Sequence, residues 1–325
     1  MKMHRRLGFT LLELLIAIGI ICLLIQLALP AIENAREAAR RTVCQNNLRE
    51  LGLAVMHHHD AIGHYPTDGW GWSWLGDADR GFDAKQPGSW IFNILDFIEE
   101  RNIRSMTTGK TGIEKAKAMR YLCATPIPLL VCPDRRPARA FKIGMTNPGL
   151  KTNDEFQLPI TLGARSDYAI NTGDWGRGEP AADFQLPKTL AEGDSPDFQW
   201  YDTSKYTGIS FGRSGIRIRD VTDGTSKTYM IGEKCIEADR YLDGVDKGDN
   251  ESMYSGFDND NGRSAEYPAA QDGATQIPSA FGSCHAGFWN AVFCDGSIHS
   301  IPYTLDLEIH RRLANRQDGK NIEQF

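Results

Sequence analysis

Residues 9–32 read FTLLELLIAIGIICLLIQLALPAI, and this stretch decides how the rest of the chain is organised. Apart from the carboxylate of Glu13, its polar side chains are those of Thr10 and Gln26. About 20 apolar residues are enough for a helix to cross the hydrocarbon core of a bilayer. Glu13 is unfavourable in such a helix, because a charge near the centre of a membrane helix costs about 3 kcal/mol on insertion scales.

The stretch is preceded by MKMHRR, a basic flank. Positive charge stays on the cytoplasmic side of a membrane, so we expect a cytoplasmic N-terminus and a translocated remainder. An ordinary cleaved signal peptide is the alternative, but its apolar core is shorter and is followed by a small-x-small site. The sequence LALPAIENA offers only a weak site of that kind.

The helical pattern continues beyond the apolar run. Charged residues of opposite sign recur three or four positions apart, as at Glu33, Arg36, Glu37 and Arg40, which favours an amphipathic helix. Apolar residues recur at helical spacing: Ile32, Ala35, Ala39, Val43, Leu48, Leu51 and Val55. The pattern predicts one helix over about residues 9–59, roughly 75 Å long at 1.5 Å per residue, with a kink at Pro30.

The stretch RRLGFTLLELLIAIGI resembles the signal of type IV prepilins and type II secretion pseudopilins. The resemblance implies that a prepilin peptidase cuts after Gly8 and that Phe9 is then N-methylated. It places the family's glutamate at Glu13 and its proline at Pro30. In a filament, Glu13 would pair with the amino terminus of a neighbouring subunit, since a paired buried charge is tolerated and a lone one is not. The alternative is that Glu13 only reaches to the headgroups.

Beyond the long helix, the sequence predicts an α+β fold with a mostly antiparallel sheet, helices on one side and long loops. We expect helices after Ser89 and at both 111–124 and 305–320, and loops at 176–208 and 238–275. Strands are predicted at 127–134, at 166–176, on both sides of Asp223–Gly224, and as a hairpin around Asp295–Gly296.

Four further stretches carry a second resemblance: ARRTVCQNNLRELGLAVMHHHDAIGHYP, LLVCPD, VTDGTSKTYMIGE and FGSCHAGFWNAVFCDGSIHSI. Together they resemble the DUF1559 family of pilin-like proteins. That family carries a histidine followed, after nine residues, by Asp-Gly, here His285, Asp295 and Gly296. The chain departs from the family's pattern in having CPD for CPSD, TSKT for TSNT, and a cysteine at Cys284. The family has no established activity, so the resemblance gives a class and no chemistry.

His285 and Asp295 are open to two interpretations, a catalytic pair or residues that stabilise a turn. Asp-Gly between apolar runs favours the turn, and Asp223–Gly224 follows the same logic. No Walker or HExxH motif is present, so we expect no enzymatic activity.

The chain has seven cysteines but no CxxC pair, which argues against a zinc ribbon. One to three disulfides can form if the globular part lies outside the cytoplasm. No cofactor is expected, and calcium is the one candidate exception. Carboxylates in an acidic loop offer the oxygen ligands that calcium prefers, although a solvated loop is the simpler interpretation. These carboxylates are Asp243, Asp246, Asp249, Asp258 and Asp260.

Taken together, the sequence predicts a leader (1–8), a transmembrane or filament-core helix (9–30), its amphipathic continuation (31–60) and an extracytoplasmic globular domain (61–325). The expected protein is a single-pass inner-membrane subunit of a pilus-like or pseudopilus-like filament. Its expected partners are a prepilin peptidase and other pilin or pseudopilin subunits, and its net charge of −6 argues against nucleic acid. The rival hypothesis is an anchored ligand- or glycan-binding module, favoured by the alternating Trp70, Trp72 and Trp74.

Overall fold

The structure, a computed structural model, describes residues 10–143, 152–153, 156–176, 185–273 and 277–322. The chain divides into two compact units, Met1–Val43 and Cys44–Phe325. The α-helices are α1 (Leu11–Ile62), α2 (Trp90–Ile94), α3 (Arg101–Arg104), α4 (Gly112–Cys123), α5 (Leu190–Asp194) and α6 (Leu307–Ala314). The strands are β1 (Phe141–Lys142), β2 (Leu162–Gly163), β3 (Tyr168–Gly173), β4 (Tyr229–Glu233), β5 (Gly262–Ser264), β6 (Ala270–Gln271), β7 (Gly282–Ser283), β8 (Phe288–Phe293) and β9 (Ile298–Pro302).

The predicted long helix is confirmed, and α1 ends three residues later than expected, at Ile62. Helical structure continues on both sides of Pro30. Within the first unit, the described side chains of α1 are exposed or partly exposed, including every leucine and isoleucine from Leu11 to Ile32. In the second unit the same helix buries Leu48, Leu51 and Val55 at a spacing of three and four residues, as an amphipathic helix does.

The main sheet has the strand order β5-β3-β4-β8-β9. The β3–β4, β4–β8 and β8–β9 pairs are antiparallel, whereas β3 and β5 are parallel. In the described part of the chain, β9 pairs only with β8, so it forms one edge of this sheet. The predicted α+β class with a mostly antiparallel sheet is therefore confirmed.

Helices pack on both faces of the sheet, and the prediction of one helical side was wrong. On one face, Val292 and Met230 share a core with Leu51 of α1. On the other face, Trp289 and Leu313 of α6 belong to a second core. Alternate residues of β8 point to opposite faces, which accounts for the two cores.

The predicted loop at 238–275 contains β5, which pairs with β3, and β6, so that prediction was wrong in part. Three further local predictions were wrong for identifiable reasons. Residues 127–134 form a 3-10 turn at Pro128–Leu130 and no strand, because prolines at 128 and 133 lack the N–H that a sheet ladder needs. The segment before Asp223 forms a 3-10 turn, since the Asp220 carboxylate accepts a hydrogen bond from the Arg217 N–H. The helix that Ser89 caps ends early and resumes only as α3, and between them Glu99 has a φ of +63°.

A buried ion network connects the segment that follows the 3-10 turn Pro128–Leu130 to residues next to β3 and β4. The Arg136 guanidinium forms two hydrogen bonds with the Asp249 carboxylate and a third, of 2.6 Å, with Asp167. Asp249 also lies 3.1 Å from the Lys234 ammonium and 3.4 Å from Arg165. All five side chains are at most 1 % exposed, so the charges depend on each other for compensation.

Two buried histidines make stability depend on pH. Burial lowers the pKa of both His58 and His310 to about 3, whereas histidine titrates near 6.5 in an unfolded chain. Between those two values the unfolded state binds more protons, so stability falls as the pH falls. We expect each histidine to remove about 2 kcal/mol of stability between pH 7 and pH 5.

The variant His310→Gln isolates this effect. Glutamine does not titrate, and it keeps a polar atom for the Tyr229 hydroxyl, which lies 3.2 Å from His310 Nδ1. In chemical unfolding, the loss between pH 7 and pH 5 should be smaller in the variant by about 2 kcal/mol. His57→Gln, at an exposed position of α1, should match the wild type, and equal losses in all three proteins would contradict a neutral buried His310.

Candidate functional site

The first candidate region is the exposed N-terminal part of α1. Gly8 and Phe9, the predicted processing residues, lie outside the described residues. Thr10 and Glu13 form a reciprocal cap at the start of the helix. The Glu13 carboxylate accepts hydrogen bonds from the N–H and the hydroxyl of Thr10, both at 2.9 Å, and the Glu13 N–H donates to the Thr10 hydroxyl at 3.3 Å. The sequence TLLE matches the capping-box pattern, a role that the sequence reasoning missed.

The charged face predicted after Pro30 is present. Glu37 pairs with both Arg40, at 3.1 Å, and Arg41, at 2.9 Å. These are the i,i+3 and i,i+4 contacts expected on an amphipathic helix, and each contributes only a few tenths of a kcal/mol on an exposed surface.

The second candidate region lies in the globular unit, where the four stretches of the DUF1559 resemblance meet. The helical stretch contributes Cys44, LLVCPD contributes Cys132 and Asp134, the end of β4 contributes Glu233, and the segment after β7 contributes Cys284 and His285. We call these six residues the motif cluster. Their separation in sequence is large, so only the fold brings them together.

Sulfur and imidazole atoms form the centre of the motif cluster. The Cys132 sulfur lies 3.1 Å from that of Cys44 and 3.7 Å from that of Cys284. His285 lies between two carboxylates, with Nδ1 3.7 Å from Asp134 Oδ2 and Nε2 3.7 Å from Glu233 Oε1. Cys132 and His285 are buried, whereas Asp134 and Cys284 are partly exposed. The arrangement therefore has a buried centre and an accessible side.

Neighbouring groups hold the motif cluster in place. The Glu233 carboxylate accepts hydrogen bonds from the backbone N–H of Asn290, at 2.7 Å, and from its side-chain amide, at 3.1 Å. Burial raises the pKa of Glu233, and the charges of His285 and Arg135 oppose that shift. The Cys132 N–H donates to Asp167 at 2.7 Å. Contact with Cys132, together with burial, raises the pKa of the Cys284 thiol.

Two family profiles match the chain. The prokaryotic N-terminal methylation motif matches residues 3–25, and the family described as a protein of unknown function (DUF1559) matches residues 33–308. The chain belongs to the DUF1559 family. It carries a prepilin-type signal at its N-terminus. No curated protein and no solved structure matches it.

The DUF1559 residues His285 and Asp295 lie at opposite ends of β8. The predicted hairpin is confirmed, with Gly296 at a φ of +84° in the turn. The Asp295 carboxylate accepts from the N–H and the hydroxyl of Ser297. This DUF1559 motif therefore contributes one residue to a turn and another to the motif cluster.

Asp223 and Gly224 lie between two 3-10 turns, where Gly224 has a φ of +103°. The Asp223 carboxylate accepts hydrogen bonds from the N–H groups of Asp318 and Gly319. It thereby fastens the segment after α6, a partner that the local sequence pattern did not suggest.

The five aspartates proposed for calcium occupy four different settings. Asp249 belongs to the buried ion network. Asp243 pairs with the exposed Arg240, and Asp246 accepts from two backbone N–H groups. Asp258 and Asp260 do converge, and they do so with Glu251, which the sequence reasoning missed.

Two of the three tryptophans that favoured a binding module pack inside the protein, and Trp72 is partly exposed. Trp70 is fully buried and Trp74 is nearly so. The Trp70 ring makes edge contacts with Trp74, at 4.9 Å, and with Trp200, at 5.1 Å, between ring centroids. Core packing explains these two residues.

The sequence reasoning singled out His285 but missed Asp134 and Glu233 as its neighbours. A signal for them existed, because both belong to the stretches that carry the DUF1559 resemblance. It could not be used without the fold, because consecutive members of the motif cluster are up to about 100 residues apart in sequence.

Proposed function

We propose that this DUF1559 protein is a prepilin-like structural subunit, processed after Gly8 and assembled into a pilus-like or pseudopilus-like filament. The observation that carries the proposal is the apolar N-terminal part of α1. It is long enough to cross a bilayer, and no apolar side chain of that segment is buried among the described residues. Such a surface needs lipid or neighbouring helices around it.

The prepilin-type signal supports processing by a membrane prepilin peptidase, with cleavage after Gly8 and methylation of Phe9. The basic residues before Gly8 support a cytoplasmic N-terminus, and hence a globular domain on the far side of the inner membrane. In this proposal residues 1–8 are the leader, residues 9–30 form the membrane or filament core, and residues 31–60 connect it to the globular domain of residues 61–325. The functional interactions are with other pilin or pseudopilin subunits.

Intact-mass and N-terminal peptide analysis of protein from native membranes tests the processing step. We expect a mature chain that begins with N-methylated Phe9, because the signal ends at Gly8. A chain that keeps Met1 would contradict processing, and a chain that begins near Ala31 would indicate ordinary signal-peptide cleavage. Gly8→Leu should block cleavage and leave a precursor in the membrane, while Gly19→Leu, a control within the apolar run where nothing lies near the glycine, should be processed normally.

A further inference from the structure

Four members of the motif cluster face a common point. The nearest ligand atoms of Cys132, Asp134, Cys284 and His285 all lie within 4.8 Å of one another. Ligand atoms on one tetrahedral zinc are about 3.3–3.8 Å apart, because zinc bonds are about 2.0–2.3 Å long, so the widest pair has to close by at most roughly 1.5 Å when the ion binds. The distance of 3.7 Å between the sulfurs of Cys132 and Cys284 is close to the value of about 3.8 Å for two thiolates on a tetrahedral zinc.

We propose that Cys132, Asp134, Cys284 and His285 form a zinc site. Two sulfurs, one imidazole nitrogen and one carboxylate oxygen make a four-ligand set of the kind that zinc takes in proteins. Softer thiolate ligands also disfavour calcium and magnesium, which prefer oxygen. The site joins the segment after the 3-10 turn Pro128–Leu130 to the segment after β7. These two parts of the chain are about 150 residues apart in sequence.

The surroundings of His285 fit this role. Its Nδ1 is on the side of Asp134, while its Nε2 faces Glu233 Oε1 at 3.7 Å. A zinc-bound histidine usually donates its second ring N–H to a carboxylate, which fixes the ring and strengthens the metal bond. Glu233 is itself held by the two hydrogen bonds from Asn290. It is therefore a positioning residue for His285.

A zinc ion would add positive charge at this point of the structure. Arg135 is the neighbouring positive group, but its guanidinium is paired with Asp272, at 2.8 Å, and with Asp167, at 3.6 Å. Once Cys132 and Cys284 bind the ion as thiolates, its charge compensates theirs inside the protein. Asp134 and Cys284 are partly exposed, so an ion can enter from that side.

A disulfide between Cys44 and Cys132 is the competing arrangement. Their sulfurs are 3.1 Å apart, and a bond would bring them to about 2.05 Å. The Cys132 sulfur cannot be both a zinc-binding thiolate and half of a disulfide. The two arrangements therefore exclude each other, and one measurement on the wild type distinguishes them.

The test uses the full chain, purified in detergent under anaerobic conditions. We expect about one zinc per chain by elemental analysis, and alkylation followed by mass spectrometry should find Cys44 reduced. Replacement by Co²⁺ should give a thiolate-to-cobalt charge-transfer band and the strong visible bands of four-coordinate cobalt. A Cys44–Cys132 disulfide, or zinc below about a tenth of an equivalent after reconstitution, would overturn the proposal.

Variants assign the ligands. Cys284→Ser should abolish the cobalt–thiolate band or shift it strongly, whereas Cys123→Ser, the same change at a buried cysteine in a separate core, should leave the band unchanged. Glu233→Gln should retain the band but weaken zinc binding 10- to 100-fold in competition with a chelator, about the effect of removing a positioning carboxylate. If Cys284→Ser gave the same spectrum as Cys123→Ser and the wild type, the assignment of Cys284 as a ligand would be wrong. A misfolded Cys284→Ser protein would leave the wild-type measurements as the deciding ones.

Discussion

Glu13→Gln is expected to be inserted and cleaved like the wild type but to be missing from sheared filaments. The carboxylate has two candidate roles: it caps its own helix through Thr10, and it can pair with the amino terminus of a neighbouring subunit. Glutamine keeps an oxygen for the cap but removes the charge. If pairing supplies the effect, incorporation should fall at least ~100-fold, because loss of one partner of a buried ion pair costs about 3–5 kcal/mol.

Two further variants make the comparison decisive. Glu13→Ala removes both the charge and the cap, and it should fail to assemble as Glu13→Gln does. Gln26→Leu, at the other strongly polar side chain of the segment, should assemble normally. If Glu13→Gln assembled like the wild type while Glu13→Ala did not, the cap would be the role of Glu13. Quantitative immunoblots of sheared filaments and membranes from the native host provide the measurement.

Asp249→Asn should cause the largest loss of stability in the globular unit. The change leaves Arg136, Lys234 and Arg165 buried with only part of their compensating charge. We expect a loss of about 3–5 kcal/mol, which corresponds to a melting temperature lower by roughly 6–20 °C. Thermal unfolding monitored by circular dichroism measures the shift.

The control is Asp243→Asn, the same chemical change at an exposed residue whose partner is Arg240. Its cost should be below ~1 kcal/mol, as for other exposed ion pairs. An equal loss in both variants would contradict the burial argument.

The pH dependence of Asp249→Asn adds an independent check. Burial alone would raise the pKa of Asp249, but Arg136, Lys234 and Arg165 outweigh it and hold the pKa well below its usual range. A carboxylate with a lowered pKa stabilises the fold above its unfolded pKa of about 3.9, and this contribution is lost as the pH falls further. The difference in stability between wild type and Asp249→Asn should therefore narrow below about pH 4.

The sequence predicted elements whose determinants are local. The apolar run and the repeating charges around Glu37 were enough to predict α1, and Asp295–Gly296 between apolar runs was enough for the hairpin. Strand predictions failed at Pro128 and before Asp223, where a missing N–H or a side-chain hydrogen bond competes with the sheet ladder.

The candidate site was harder to predict than the fold. The Thr10–Glu13 cap follows a local pattern and was available to sequence reasoning. The contact between Cys132 and Cys284 could not be predicted from the sequence, because it depends on the order in which distant strands pair in the sheet. The same holds for His285, whose sequence partner Asp295 lies at the far end of β8 and whose spatial partners come from two other stretches. Absence of CxxC argues against a local zinc motif and says nothing about ligands that come from distant segments.

The open edge of β9 matters wherever many copies of this domain are crowded together. At high local concentration, an unpaired strand edge can form backbone hydrogen bonds with the edge of another copy, and such pairing leads to aggregation. β9 is short, carries polar His299 and Ser300 along its length and ends at Pro302, which has no N–H to offer an incoming strand. In the proposed filament, these features would keep the sheets of neighbouring domains from pairing at this edge, and the domains would associate through other surfaces.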